Sequence, residues 1–158
     1  MNPAELVDLV ESKISDDMNE ALCKQFMTEE ILDALFQMGP FKAPGSDGFP
    51  THFYQCHWDV LRDDVVAAVQ QFFVDCCLPE GINDTAIVLI PKGANLEELK
   101  DFRPISLCNV IYKIISKCLV NRLQPFLDQI ISKDQSAFVL GRLIMDNALI
   151  AFECIHAI

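Results

Sequence analysis

The sequence predicts an α+β protein that is mostly helical and contains one small antiparallel sheet. Three observations carry this prediction. Apolar residues recur at helical spacing over several long segments. Two short β-rich segments, residues 85–90 and 103–107, flank a polar connection. Hydrophobic residues make up 51% of the 158 residues, which is ample for a packed core in a chain of about one domain's length.

The first half of the chain is predicted to form helices interrupted by one loop. A weak helical pattern covers residues 3–13. Thr28 has the character of an N-cap, because two glutamates follow it and start an apolar stripe. That helix ends at the segment GPFKAPGSDGFP, residues 39–50, whose three glycines and three prolines exclude a continuing helix. The next amphipathic pattern predicts a helix over about residues 53–75.

The second half begins with the two predicted strands. Pro91 ends the first, and Pro104 restricts the second to a sheet edge or a strand start. The two segments are therefore expected to pair as an antiparallel hairpin around residues 91–101.

Amphipathic helices are predicted to complete the chain. One covers about residues 109–131, with a kink at Pro125, and a loop or extended segment follows at 133–142. The last helix, about 143–158, stays apolar to the final residue without a stop signal. We expect such an open end where a chain is truncated inside a larger fold.

Charge is distributed unevenly along the chain. The net charge of −11 argues against nucleic-acid binding when taken as a whole. Almost all of the excess lies in residues 1–79, whereas residues 99–142 hold seven basic and three acidic residues. This segment is either a locally basic patch or a solvated helix face carrying Lys113, Lys117 and Arg122, and charge alone favours the solvated face.

Cysteine usage indicates the compartment. Seven cysteines without a C-x-x-C spacing predict reduced, mostly buried thiols in an intracellular protein. The nearest approach to a metal cluster is His52, Cys56 and His57, but a second pair of ligands is missing, so no metal site is predicted there. No secretory signal or membrane span is read, which predicts a location in the cytoplasm and nucleus and no membrane partner.

Three segments carry residue types suited to chemistry. In KAPGSDGFP, residues 42–50, glycines let backbone N–H groups approach a phosphate beside Lys42. The spacing does not fit a nucleotide P-loop, and residue types alone favour an ordinary tight loop. The hairpin would bring Lys92 and Arg103 together as a pair suited to a polyphosphate, or leave both as solvated charges. In QSAFVLGR, residues 135–142, Gln135 and Arg142 flank an apolar centre.

Taken in this order, the segments are much more specific. KAPGSDGFP, TAIVLIPK, DFRPISLCNVIYKIISKCLVNRL and DQSAFVLGRLIMDN resemble the opening motif series of LINE-type (non-LTR) retrotransposon reverse transcriptases. MTEEILDALFQMGPFKAPGSDG also resembles the segment that precedes this series in plant members, and the resemblance covers about residues 18–158. Ser46 and Leu140 depart from the family, which usually has proline at both positions. Either exchange is expected to loosen its loop, as in a decaying element.

The resemblance implies a right-hand polymerase. An N-terminal helical extension at 1–27 would precede reverse transcriptase fingers and the beginning of an incomplete palm at 28–158. The family's functional positions fall into three sets. They are the template-facing Lys42, Gly45, Asp47 and Gly48, the nucleotide-facing Lys92 and Arg103, and the nucleotide- and template-lining Gln135, Phe138 and Arg142.

The resemblance also implies partners and a cofactor for the complete RNA-directed DNA polymerase, a nucleotidyltransferase. These are an RNA template, an RNA–DNA hybrid, deoxynucleotide triphosphates, the remaining palm and thumb, and Mg²⁺ held by carboxylates. In the family those carboxylates lie in a palm strand and in a later F/Y-A-D-D hairpin, and neither motif occurs in these 158 residues. We therefore expect no catalytic residue, no bound metal and no polymerisation by this chain alone.

Three other interpretations stay open at the level of sequence. The fragment could keep weak RNA affinity through its basic segment. It could be an inactive retroelement remnant. Without the resemblance, its composition would also suit an acidic helical interaction module with no enzymatic role.

Overall fold

The computed structural model describes residues 13–94, 96–132, 135, 139 and 141–156. They form a mainly helical chain with one two-stranded antiparallel sheet, which confirms the predicted class at that level. The pattern at 3–12 and Phe138 lie outside the described residues. The helices are α1 Asp16–Cys23, α2 Thr28–Phe36, α3 Thr51–Cys56, α4 Trp58–Asp75, α5 Val110–Leu123, α6 Leu127–Ile130 and α7 Ile144–His156, and the strands are β1 Ala86–Pro91 and β2 Phe102–Leu107.

Helix α2 starts where the sequence predicts but is capped differently. Thr28 is the first helical residue, and Met27 takes the extended cap conformation before it. The Glu30 carboxylate reaches back to accept the Met27 N–H at 2.9 Å. The expectation that Thr28 is the N-cap was therefore wrong. Met27 is the N-cap, and the Glu30 side chain accepts its backbone N–H.

The single helix predicted over 53–75 is two helices. His57 separates α3 from α4 with φ −111° and ψ 23°, outside the helical region. Its ring Nδ1 lies 2.9 Å from the Phe53 carbonyl oxygen, and the His57 carbonyl accepts the N–H of Leu61 at 3.0 Å to start α4. Helix α4 ends at Cys76 in the left-handed conformation, with φ 52°.

The predicted hairpin is confirmed with its boundaries shifted by one residue. Ala86 pairs with Leu107 and Ile90 pairs with Arg103. The Lys92 N–H extends the ladder by donating to the Asp101 carbonyl at 2.8 Å. All six residues of β1 are exposed, so this two-stranded ribbon has no buried strand face of its own.

The described residues between Gln25 and Val120 form one compact unit. Its core joins one face each of α2, α4 and α5, and truncating any fully buried aliphatic side chain there should cost about 2–5 kcal/mol. The most buried members are Ile31, Leu35, Val69, Val110, Ile114 and Cys118.

The second compact unit holds the described residues up to Lys24 and from Asn121 onwards. Arg122 Nη1 donates to the carbonyl oxygens of Leu22 and Lys24, which fixes the end of α1. Large apolar side chains of α7, such as Phe152, are exposed. None of the described helices is both long and apolar enough to cross a membrane.

The cysteines correct one expectation. All seven are free thiols, but only Cys118 is buried and Cys108 half-buried, while the other five are exposed. The prediction of mostly buried thiols was wrong. Helical periodicity could not predict the burial of Cys76 and Cys77, because both residues follow the last turn of α4.

Candidate functional site

The loop at residues 39–50, called here the GP loop, is a tight and ordered turn. The Gly48 N–H donates to the Gly45 carbonyl at 3.1 Å, and the Phe49 N–H donates to Asp47 Oδ1 at 3.1 Å. Gly48 has φ +76°, a conformation that only glycine adopts without strain. The Asp47 side chain is thus engaged in shaping the turn that the sequence assigned to template binding.

Gly45 lies against the residues that precede α5. A Cβ built on Gly45 would stand 2.1 Å from Asn109 Oδ1, 2.4 Å from the Asn109 backbone nitrogen and 2.6 Å from the Cys108 carbonyl carbon. Two of these atoms belong to the backbone and cannot rotate away. This glycine is therefore required for close packing between the GP loop and α5, whatever it does for a ligand.

Asn109 is the polar centre of this arrangement. It is 5% exposed, and its Oδ1 accepts from the Asp47 N–H at 3.3 Å. Its Nδ2 donates to the carbonyls of Gly81 at 3.0 Å and Ile82 at 3.3 Å. One side chain therefore joins the GP loop, the turn before β1 and the start of α5. Sequence reasoning missed it, although a polar amide directly before an apolar helix is a recognisable cap signal.

Two more side chains attach the GP loop. Ser46 Oγ lies 3.4 Å from both the Asp84 carbonyl oxygen and Asn109 Oδ1, and its one proton can serve either acceptor. Serine here adds a contact that attaches the GP loop to the residues before β1 and α5. Lys113 Nζ donates to the Ala43 carbonyl at 2.9 Å, so Lys113 does not lie on a purely solvated outer face.

Lys42, the remaining template candidate, is exposed, and no hydrogen bond or ion pair within the described residues engages its ammonium group. Its aliphatic stem runs beside Gly39, with Cγ and Cε each 3.6 Å from the ideal Cβ position there. Nearby, burial and then the charge of Asp47 raise the pKa of the half-buried Tyr54 phenol, so this hydroxyl stays protonated over the physiological range.

The hairpin places Lys92 and Arg103 as neighbours. Arg103 pairs with Ile90, and Lys92 follows two residues later, so the pleat puts Lys92 and Arg103 on the same face of the ribbon. The Lys92 ammonium donates to the Lys100 carbonyl at 2.6 Å and thus lies over the connection. Among the described residues, the exposed Arg103 guanidinium has no hydrogen-bond or ion-pair partner.

The segment 135–142 is held by its own arginine. Arg142 donates through Nη1 to the carbonyls of Ser132 at 2.6 Å and Gln135 at 2.8 Å. Its Nη2 forms an ion pair with Asp128 Oδ1 at 3.0 Å. The guanidinium therefore joins Asp128, Ser132 and Gln135 within the second unit and is already committed to protein acceptors.

The described residues offer few side chains that could bind a metal ion together. They contain no group of three histidine, cysteine, aspartate or glutamate side chains able to hold a metal ion. His52 and Cys56 do approach, with 3.4 Å between Nε2 and Sγ, while His57 is turned to a backbone carbonyl. This donor set does not fit the carboxylate-held Mg²⁺ of a polymerase.

Comparison with known proteins gives two similarities. Residues 90–157 match the family described as reverse transcriptase (RNA-dependent DNA polymerase). This segment is similar to reverse transcriptases. It contains Lys92, Arg103 and the whole of 135–142, and it begins after the GP loop.

The second similarity extends over the GP loop as well. The chain is 34% identical over 143 residues to the Transposon TX1 uncharacterized 149 kDa protein of Xenopus laevis, which is 90% of this chain and 11% of that relative. The chain thus spans about a tenth of the length of the curated relative that it matches. The chain is thus similar to reverse transcriptases over residues 90–157 and to a transposon protein over most of its length.

Proposed function

We propose that this chain supplies the fingers and the first part of the palm of an RNA-directed DNA polymerase from a non-LTR retroelement. An N-terminal extension at 1–27 precedes these elements, and the element is of the plant type. The GP loop, with Lys42, Gly45, Asp47 and Gly48, faces the template. The hairpin faces the incoming deoxynucleotide triphosphate.

The observation that carries this proposal is the end of the hairpin that holds Lys92 and Arg103, which lies within the reverse transcriptase match at residues 90–157. Its register sets Arg103 beside Lys92 on one face, and Arg103 is exposed with no acidic partner among the described residues. A planar guanidinium binds two phosphate oxygens at once, while the lysine adds a compact charge. This is the donor set that a triphosphate requires.

Residues 135–142 support the same site differently. Arg142 uses its guanidinium to bind the backbone carbonyls of Ser132 and Gln135, so we assign it a positioning task. Gln135, Phe138 and Arg142 are assigned to the lining of the nucleotide and template path. Mg²⁺ belongs to the complete polymerase, whose remaining palm supplies the carboxylates, and this chain contributes no catalytic residue.

The nucleotide role of Arg103 is tested by measuring deoxynucleotide triphosphate binding to the chain and to Arg103→Ala, for example by NMR titration. One charge-assisted contact contributes about 1.5–3 kcal/mol, so the dissociation constant should rise about ten- to a hundredfold. Arg62→Ala is the matched control, because Arg62 is an exposed arginine on α4 paired with the adjacent Asp63. Equal, small effects of both changes would show that Arg103 is only a surface charge.

The absence of a catalytic centre is tested separately by primer extension. Purified chain is incubated with primed RNA, deoxynucleotides and Mg²⁺ or Mn²⁺, beside a heat-denatured sample. We expect no product, because polymerases place two divalent ions with carboxylates from motifs that these 158 residues lack. Extension by the pure protein would refute the assignment of catalysis to another segment.

A further inference from the structure

The outer edge of β1 is open to a further strand. The Lys92 N–H donates to the Asp101 carbonyl, so alternation along the ladder turns the N–H groups of the even-numbered β1 residues toward β2. The odd-numbered Ile87 and Leu89 therefore direct their N–H and C=O groups to the opposite side. Among the described residues the sheet consists of β1 and β2, so no third strand pairs with this edge.

The outer edge of β2 is blocked by proline. The same alternation turns the backbone groups of Phe102, Pro104 and Ser106 outward. Pro104 lies at the centre of this edge and has no N–H to donate, so a strand added there would lack a ladder bond. The sheet can thus be extended beside β1 but not beside β2.

The side chains of β1 are suited to burial beside another strand. Its four large aliphatic side chains are all exposed, from 41% for Val88 to 68% for Ile87. Residues 85–91 carry no charge, so β1 lacks the lysine or glutamate that often protects an open edge. Such an edge takes up an extended segment through backbone hydrogen bonds.

The backbone of β1 is complementary to a second copy of itself. Two β1 strands can lie antiparallel with Ile87 opposite Leu89 of the second copy. The two outward N–H groups of each copy then all meet carbonyl groups of the other. Val88 lies opposite Val88 on the twofold axis, as a close pair of β-branched side chains.

Charge selects this register among the antiparallel alternatives. Positions 84 and 92 are equally far from position 88, so Asp84 of each copy lies opposite Lys92 of the other. Both residues are exposed, and their even numbers place them on the Val88 face. Lys92 gives one ammonium proton to the Lys100 carbonyl and keeps two for a carboxylate. Shifting the register in either direction loses both Asp84–Lys92 pairs.

We propose that β1 is a self-association edge, on which two copies of this chain join into a four-stranded antiparallel sheet of strand order β2–β1–β1–β2. Because Pro104 blocks both outer edges, the assembly ends at a twofold-symmetric dimer. One strand from each copy makes a small interface, which is typical of weak and reversible association. This inference goes beyond the polymerase role and does not depend on it.

The test is sedimentation equilibrium of the full 158-residue chain from about 10 µM to 1 mM, a range that covers weak dimers. We expect a monomer–dimer equilibrium with no larger species. In a mixture of isotope-labelled and unlabelled chains, filtered NOE spectra should show contacts between Val88 methyl groups of different copies.

Leu89→Pro is the decisive backbone change. It removes an outward N–H that the hairpin does not use, so the dimer loses one donor from each copy. The dissociation constant should rise at least about tenfold. Ser106→Pro is the matched control, because it removes an outward N–H from the edge that Pro104 already blocks, and it should leave the dimer unchanged. NMR spectra of each variant show whether the hairpin stays folded.

A charge exchange tests the register without touching the backbone. Asp84→Lys sets like charges opposite each other at both ends of the strand pair and should weaken the dimer about threefold to tenfold. Adding Lys92→Asp should restore it. A chain that stays monomeric at the highest concentration, growth beyond the dimer, or equal effects of the two proline changes would overturn the proposal. So would failure of the double exchange to restore association, which decides the matter if Leu89→Pro unfolds the hairpin.

Discussion

The GP loop and the β hairpin acquire their shapes in opposite ways. The GP loop is fixed by partners far away in sequence, since Asn109, Lys113 and Asp84 all contact it. The hairpin is fixed by its own ladder and connection, and every residue of β1 is exposed. A loop built this way shares the stability of the core, whereas the hairpin can open locally without it.

Among the changes that test this difference, Gly45→Ala should have the largest effect. The added methyl group would overlap the backbone of Asn109 and Cys108, so the loop must move off α5. We expect the free energy of unfolding by urea to fall by about 3 kcal/mol. Hydrogen exchange of the hairpin amides at low denaturant should stay unchanged.

Gly93→Ala is the matched control for this change. A Cβ at Gly93 meets nothing within 4 Å, and Gly93 is not among the described residues with positive φ. Its effect on unfolding should stay within about 0.5 kcal/mol. If both alanine variants behave alike, close packing of the loop on α5 is not what holds it.

The next effect in size is expected for Asn109→Ala. The change removes the acceptor for the Asp47 N–H and leaves the carbonyls of Gly81 and Ile82 without their donor. Loss of these three hydrogen bonds should reduce stability by about 1–3 kcal/mol, and limited proteolysis should then cut within residues 42–50. Asn83→Ala, an exposed change in the same turn, should have little effect, and hairpin cleavage in its place would contradict the model of two separate supports.

Much of the fold was predictable from sequence because it depends on local patterns. The hairpin, the Pro125 break and the start of α7 follow from β-rich runs, proline and 3.6-residue periodicity. The break at His57 was not predictable, because the apolar pattern runs on through it. At this break the His57 ring forms a hydrogen bond with the Phe53 carbonyl.

The site was predictable only in part. Arg103 and Lys92 were brought together by hairpin register, which sequence can give. Asn109 required knowledge of which helix meets the GP loop, and this contact joins segments more than sixty residues apart. Local patterns carry no information on such pairings, so Gly45 was assigned to a ligand before its packing partner was known.

Cys76→Gly should raise the free energy of unfolding, by less than Gly45→Ala and Asn109→Ala lower it. Cys76 holds φ 52° at the end of α4, a conformation that costs a non-glycine residue about 1–2 kcal/mol. Glycine's greater freedom in the unfolded chain offsets part of this, so we expect a gain of about 0.5–1 kcal/mol. Exchange protection should rise in the GP loop and stay constant in the hairpin. Cys77→Gly, where φ is not positive, should give no gain.

The smallest effect is local to the hairpin and depends on pH. Hydrogen bonds from the backbone N–H groups of Glu98 and Glu97 lower the pKa of Asp101. The folded carboxyl thus has a pKa below its unfolded value, so its contribution is present at neutral pH and disappears as the pH falls through the lowered pKa. NMR shifts of these two amides should change during acidification while those of the GP loop do not. In Asp101→Asn the transition should be absent, and its persistence would assign it to the neighbouring Glu98–Lys100 pair.

The bond between Asp47 and Asn109 sets an order of events during synthesis. A ribosome adds about 5–20 residues per second, so the 62 residues separating this pair take about 3 to 12 s to appear. During that interval the GP loop has neither its acceptor nor the helix against which Gly45 packs. The hairpin closes within itself in microseconds once its second strand has emerged. The GP loop is synthesised before the hairpin and α5, yet it is among the last parts of its unit to take shape on the nascent chain.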